Sequence, residues 1–361
     1  MALNSSYAWS KSLRFFLRAS IALSLLVILA GSIVRMTGSG MGCPDWPRCY
    51  GLTIPPTSPE QVYWSAGKEY AKNQMVLFEG ALWSAKEDHK SPFIFSSLAW
   101  EKYTQHDYAE FNATHTWIEF INRLSGALLG VPVLLAFLWS LRRAKTHPRW
   151  ALSMTLGLLL LLFEAWLGKV VVDGHLVPHH ITYHMIGALG LLIVFTAVHR
   201  SVSFEREERL TTREGSIHGE KYRRVAFGFG LFTALLLLQM VLGTQVREWV
   251  DAHRASPHFS IQDAGVFVYI HRSASLLVLA LAYWIFSQTK GVSDVHTQSV
   301  KILAVLLLET LVGVVLFYGG MPVFLQPIHL LLSALALVWA VDGGVKSLLI
   351  YRATPTTPSG E

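Results

Sequence analysis

Three imidazoles and one amide hold matching places in this chain, each just inside the start of a long apolar segment. The contexts are Y-H-M-I-G-A at His184, I-H-R-S-A-S at His271, I-H-L-L-S-A at His329 and E-F-I-N-R-L-S at Asn122. An ionisable ring at the edge of such a segment is costly to place, so it marks a bound metal, a proton path or a haem. A single histidine of this kind is as often a satisfied interhelical hydrogen bond. Recurrence of the slot, with His in three of four, shifts the balance to a ligand. Zinc is disfavoured because its other ligands would be Cys or carboxylate at tetrahedral spacing, and the two cysteines lie elsewhere. Glycines beside the slots (Gly126, Gly130, Gly187, Gly190) admit a flat macrocycle, though they serve plain helix packing equally well.

Charged neighbours extend the pattern. Arg123 and Arg272 directly follow two slots, and Arg35 and Arg247 stand at the ends of neighbouring apolar runs. Guanidinium binds paired carboxylates bidentately, as porphyrin propionates would require; the competing reading is interfacial snorkelling. Glu119 precedes Asn122 by three residues and so shares its helix face, where it would act as general base or proton acceptor, or else cap the helix after Thr116. Cys43 and Cys49, in G-C-P-D-W-P-R-C-Y-G, form a C-x5-C pair that a disulfide explains better than a thiol relay or a metal pair. Glu164 and Glu309 fall at matched positions, which favours a packing or hydrogen-bonding role over catalysis.

The elements that position these residues are apolar spans. Of 361 residues, 52% are hydrophobic and 15% charged. Eight stretches reach the roughly 20 apolar residues a bilayer span needs: 13–35, 116–141, 149–172, 179–199, 223–246, 266–288, 299–318 and 321–346. They are apolar nearly all round, unlike a buried core helix with one polar face. The expected fold is an all-α integral membrane protein. The first run continues to Val34 without a small-x-small cleavage site and reads as an uncleaved span.

A formal charge of +6 would suit nucleic acid, but its distribution is topological. Lys11, Arg14 and Arg18 precede span one. Arg142, Arg143, Lys145 and Arg149 follow span two, and Arg200, Arg206, Arg209, Lys221, Arg223 and Arg224 follow span four. Lys290 and Lys301 lie between spans six and seven, with Lys346 and Arg352 at the end. Every second connection is basic, which places both termini in the cytoplasm and all four slots near the outer leaflet. No aromatic-basic interleaving marks a nucleic-acid site.

The chain also repeats itself. G-S-I-V-R at Gly31–Arg35 answers G-T-Q-V-R at Gly243–Arg247, and E-A-W-L-G at Glu164–Gly168 answers E-T-L-V-G at Glu309–Gly313. Gly168 to His184 and Gly313 to His329 are both 16 residues. Two pseudo-symmetric four-helix halves in parallel duplication follow: 1–200, with a long external loop over 36–115, and 223–361, joined by a cytoplasmic linker at 201–222. Residues 52–114 of the loop are rich in aromatics, among them Trp64, Trp83 and Trp100. There, M-V-L-F-E-G-A-L-W-S-A reads as two short strands about a Glu-Gly turn.

Together these features resemble the haem A synthase family over nearly all of 13–346. The resemblance is carried by T-G-S-G-M-G-C-P-D-W-P-R-C, T-W-I-E-F-I-N-R-L, H-M-I-G-A, I-H-R-S-A-S and Q-P-I-H-L-L-L-S-A. It implies a haem b cofactor on His271 and His329, with Arg272 and Arg247 beside it. The substrate, haem O, would occupy the N-terminal half near Glu119, His184, Asn122, Arg123 and Arg35, where a porphyrin methyl is oxidised to formyl. Many members carry a second His where Asn122 stands, which leaves His184 as sole ligand unless His115, His179 or His180 substitutes. The resemblance further implies a bacterial inner (plasma) membrane, surrounding lipid, a haem O-forming farnesyltransferase and cytochrome oxidase assembly factors as partners, and leaves homo-oligomers open. A mitochondrial location is disfavoured because no long Arg- and Ser-rich leader precedes the first span. The alternatives are a di-haem b-type electron carrier and a haem-handling protein without catalysis. The carrier would place a haem near each leaflet, whereas all slots here fall on one side.

Overall fold

The architecture is taken from a computed structural model that describes residues 2–104, 110–174, 176–208 and 219–354. Among these are eight helices long and apolar enough to cross a membrane, by length and composition. They are α1 (Ala2–Thr37), α2 (Ala113–Leu141), α3 (Pro148–Asp173), α4 (Pro178–Glu208), α5 (Gly219–His253), α6 (Gly265–Thr289), α7 (Ser293–Tyr318) and α8 (Leu325–Ala353). Seven of the eight expected spans fall inside one of them; the last, 321–346, begins four residues ahead of α8. Residues 209–218 of the expected linker, Arg209 among them, lie outside the described residues.

Large apolar side chains such as Phe227, Leu276, Leu277 and Leu311 are exposed on the helix surfaces. In water that would be a liability; against lipid it is the expected outer face, and it explains why these helices lack a polar stripe. Helix association must then come from close packing and interhelical polar contacts, not from the hydrophobic effect.

The chain divides into two compact units. The first contains residues 1–29, 128–164 and 182–361. Within it α5 packs on α6 and α8, and α7 on α6 and α8, closing a four-helix ring. Its largest buried cluster gathers Phe229, Phe232, Leu236, Ile285, Ile302 and Leu337 from those helices. A second cluster joins Leu13 and Leu17 of α1 to Val133 of α2, Met154 of α3 and Phe195 of α4.

The second unit comprises residues 30–127 and 165–181 and carries the segment between α1 and α2. Here the fold is mostly helical rather than all-α. Strand β2 (Met75–Phe78) pairs with β3 (Ala81–Ala85) in an antiparallel hairpin, β3 pairs with β5 (Trp100–Lys102), and β1 (Glu69–Tyr70) pairs with β4 (His89–Lys90). The hairpin is the expected one: Phe78 faces Ala81 across Glu79 and Gly80, both at positive φ (47° and 72°), as a two-residue primed turn requires. Behind it Trp64, Phe78, Phe95, Trp83 and Trp100 pack edge to face and stacked, giving a short segment its own core.

Candidate functional site

His271 lies in the second turn of α6 and His329 in the second turn of α8. Their ring centroids are 6.4 Å apart with planes at 77°. Two imidazoles on opposite faces of one iron need centroids roughly 6 Å apart, for metal–nitrogen bonds of about 2 Å. No group of three or more His, Cys, Asp or Glu able to hold a metal occurs among the described residues. A pair of imidazoles at this spacing therefore fits a haem better than a tetrahedral ion.

The seats of these rings are built by glycine. A β-carbon added to Gly243 would come 3.1 Å from Cε1 of His271, and one on Gly313 would come 3.6 Å from Cε1 of His329. Each glycine stands four residues after the one whose backbone faces the ring, Gln239 and Glu309 respectively. In a helix the carbonyl of residue i bonds the N–H of i+4, so a missing side chain at i+4 uncovers that carbonyl. Nδ1 of both rings is buried without an aligned hydrogen bond. The Gln239 amide, itself buried, donates to the His271 carbonyl at 2.6 Å and ties α6 to α5. Ser333 donates to the Glu309 carboxylate and so links α8 to α7. Of the two arginines expected nearby, Arg272 lies over the rings of Tyr269 and Phe317 at 5.1 and 5.2 Å. Arg247 pairs with Asp251 at 2.7 Å.

The second unit holds a different knot. Glu119 is 3% exposed; one carboxylate oxygen accepts the Cys43 N–H at 2.9 Å and the other accepts from Arg123. Arg123 also donates to the carbonyls of Asp45 (2.6 Å), Arg48 (3.1 Å) and Cys43 (3.3 Å). Cys43 and Cys49 form a disulfide with Cα atoms 4.8 Å apart. Thr116 donates to the Gly42 carbonyl at 2.8 Å, and a β-carbon at Gly42 would come 2.5 Å from the His115 carbonyl. The start of α2 and the disulfide loop are thus one packed body. Asp45 accepts the Gly51 N–H at 2.9 Å; burial pushes its carboxyl above the ordinary 3.8, against the pull of that N–H, of Tyr50 and of Arg123. Tyr103 donates to the Pro44 carbonyl at 2.7 Å, and burial pushes its phenol up to about 12.

Asn122 repeats the glycine seat: a β-carbon at Gly31 would lie 3.7 Å from its Oδ1, a buried atom with no hydrogen bond. Arg35 stands in the last turn of α1. Among the reserve histidines, His179 and His180 have ring centroids 4.8 Å apart, and His180 approaches Gly174. His184 belongs to the first unit and meets Glu164 of α3, with Nδ1 2.6 Å from Oε2. That is an ion-pair distance, though the approach is not aligned as a hydrogen bond.

The sequence model of the COX15-CtaA family, described as a cytochrome oxidase assembly protein, matches residues 14–87 and 96–341. That extent includes every slot, every seat and the disulfide loop. The chain belongs to this family.

Among its relatives, a haem A synthase of Shewanella oneidensis is 28% identical over 50% of this chain and 42% of its own length. One from Bartonella quintana is 23% identical over 65% of this chain and 58% of its own length. One from Bartonella henselae is 20% identical, over 95% of this chain and 94% of its own length. The chain thus spans about half the length of the first two relatives and nearly all of the third.

Some of the site escaped sequence reasoning. Thr116 and Gly42 lie in the motifs that carry the resemblance, but their hydrogen bond and the backbone carbonyls that hold Arg123 had no signal of their own. The Glu164–His184 contact had a signal, the matched glutamates, which symmetry alone assigns to packing.

Proposed function

We propose that this chain is a haem A synthase, an oxidoreductase that converts a methyl group of haem O to a formyl group. The observation that carries the reading is the family match across both halves, together with the His271 and His329 rings at a centroid distance of 6.4 Å. In this reading His271 and His329 hold a resident haem b, which supplies one-electron transfer when bound, with Arg272 and Arg247 nearest its propionates. His184 would hold the substrate iron, and Asn122, an amide, would be a poor iron ligand. Arg123 and Arg35 belong to the same N-terminal half.

Glu119 is the proposed proton acceptor. Each of its oxygens already accepts one hydrogen bond, and an ionised carboxylate has about four lone-pair sites, so capacity remains. Arg123 and the Cys43 N–H orient the carboxylate and keep it in place.

Parallel duplication of two four-helix halves is supported by the recurrence of one contact, glycine against slot residue, at Gly31–Asn122, Gly243–His271 and Gly313–His329. The alternating basic connections favour cytoplasmic termini in a bacterial inner membrane, with slots and disulfide loop on the opposite side. A haem O-forming farnesyltransferase as supplier, and oxidase assembly as destination, complete the reading.

The test is expression in a host that makes haem O, followed by extraction and mass analysis of the haems. Haem A or its hydroxylated precursor is the expected product. Unmodified haems from a haem-loaded protein would overturn the reading and leave an electron carrier or a haem-handling protein without catalysis.

A further inference from the structure

Glu164 is unusually placed. Its side chain is 5% exposed, and neither carboxylate oxygen has an aligned hydrogen bond. A buried carboxyl without a partner is costly, so a partner is to be expected within reach. The group in reach is Nδ1 of His184, 2.6 Å away and equally without a hydrogen bond. Room for the approach comes from Gly187: a β-carbon there would overlap the Glu164 carboxylate outright. At the matched position of the C-terminal half, Glu309 instead accepts from Ser333, and His329 is faced by backbone.

We propose that Glu164 is the positioning residue of His184, its carboxylate accepting from Nδ1–H. A ring so held carries its proton on Nδ1 and presents Nε2 bare, the form that binds iron. The carboxylate also makes the imidazole a more basic ligand. The two halves thereby differ in kind. The His271–His329 pair has no carboxylate on Nδ1, as befits a site that passes electrons; His184 has one, which favours ferric iron at the site of oxidation. This inference rests on reading His184 as the substrate-haem ligand.

The test uses the full-length chain in detergent, with ferric haem affinity and the reduction potential of each bound haem measured for wild type, Glu164→Gln, Glu164→Asp, Gly187→Ala, Glu309→Gln and His184→Ala. Losing such an outer partner typically costs 10–100-fold in affinity. Glu164→Gln and, independently, Gly187→Ala should weaken ferric binding at one haem by that factor. Each tenfold loss confined to the ferric form raises the potential by about 59 mV. Glu164→Asp should recover part of the shift, and Glu309→Gln should leave that haem's potential where it was. An unchanged potential in both Glu164→Gln and Gly187→Ala, while His184→Ala loses the same haem, overturns the positioning role and leaves the ligand assignment standing. Full haem content in His184→Ala overturns the assignment itself, and the inference with it.

Discussion

Arg123 is where two roles can be separated by experiment. As a propionate holder it would be dispensable to the empty protein. Its side chain is instead 12% exposed, donates to three carbonyls of the disulfide loop and pairs with Glu119. Removing one member of a buried ion pair leaves the other uncompensated, at a cost of roughly 3–5 kcal/mol. Arg123→Ala should therefore lower thermal stability even without haem, read by unfolding in detergent; stability equal to wild type would return Arg123 to ligand binding alone. Glu119→Gln should also destabilise, since it removes the charge opposite Arg123 while the amide oxygen still accepts from Cys43, and should lose conversion under the proposed role. Asp45 adds a pH signature. A carboxyl raised by burial favours the folded state when protonated, so its contribution is complete below 3.8 and lost as pH climbs through the raised value. Asp45→Asn should flatten that part of the unfolding profile above about pH 4, and an unaltered profile would show that other groups set it.

At the scale of elements, the glycine seats make an ordered prediction. Gly243→Ala places a methyl 3.1 Å from the His271 ring, against 3.6 Å for Gly313→Ala and His329. The first contact forces the imidazole to shift and the second is ordinary packing. Haem b content and its low-spin spectrum should fall clearly in Gly243→Ala and little in Gly313→Ala, while His271→Ala and His329→Ala should each abolish it. Equal losses in the two glycine variants would mean that helix approach, not ring seating, is what the glycines provide. The helices, the slots and even the Glu79–Gly80 hairpin were legible in the sequence because each follows from a local rule: apolar length, recurrence, or turn chemistry. The seats were visible only as repeated glycines, since which carbonyl a glycine uncovers depends on the helix opposite. The anchoring of Arg123 was illegible for a further reason. Its partners are backbone oxygens of Asp45, Arg48 and Cys43, and no side-chain type records them.

For the molecule as a whole, the question is what ties the fourth helix to the last four. Arg200 of α4 meets Asp342 of α8 through two hydrogen bonds, at 2.7 and 2.9 Å, and Gln298 of α7 donates to the same carboxylate at 2.8 Å. Both charged side chains are 13% exposed. A fork-to-carboxylate pair of this kind adds geometric specificity to its energy, and Gln298 satisfies a remaining lone pair. Desolvation offsets much of the attraction, so the pair contributes more to register than to net stability. Single substitutions should then be costlier than the double one. Asp342→Asn or Arg200→Met alone strands a partner and should destabilise by roughly 3–5 kcal/mol, whereas Arg200→Met with Asp342→Leu should lie near wild type. Unfolding of the four proteins in one detergent measures the coupling directly. If the double variant loses as much as the sum of the singles, the pair is not coupled, and α4 must be held to α7 and α8 by packing alone.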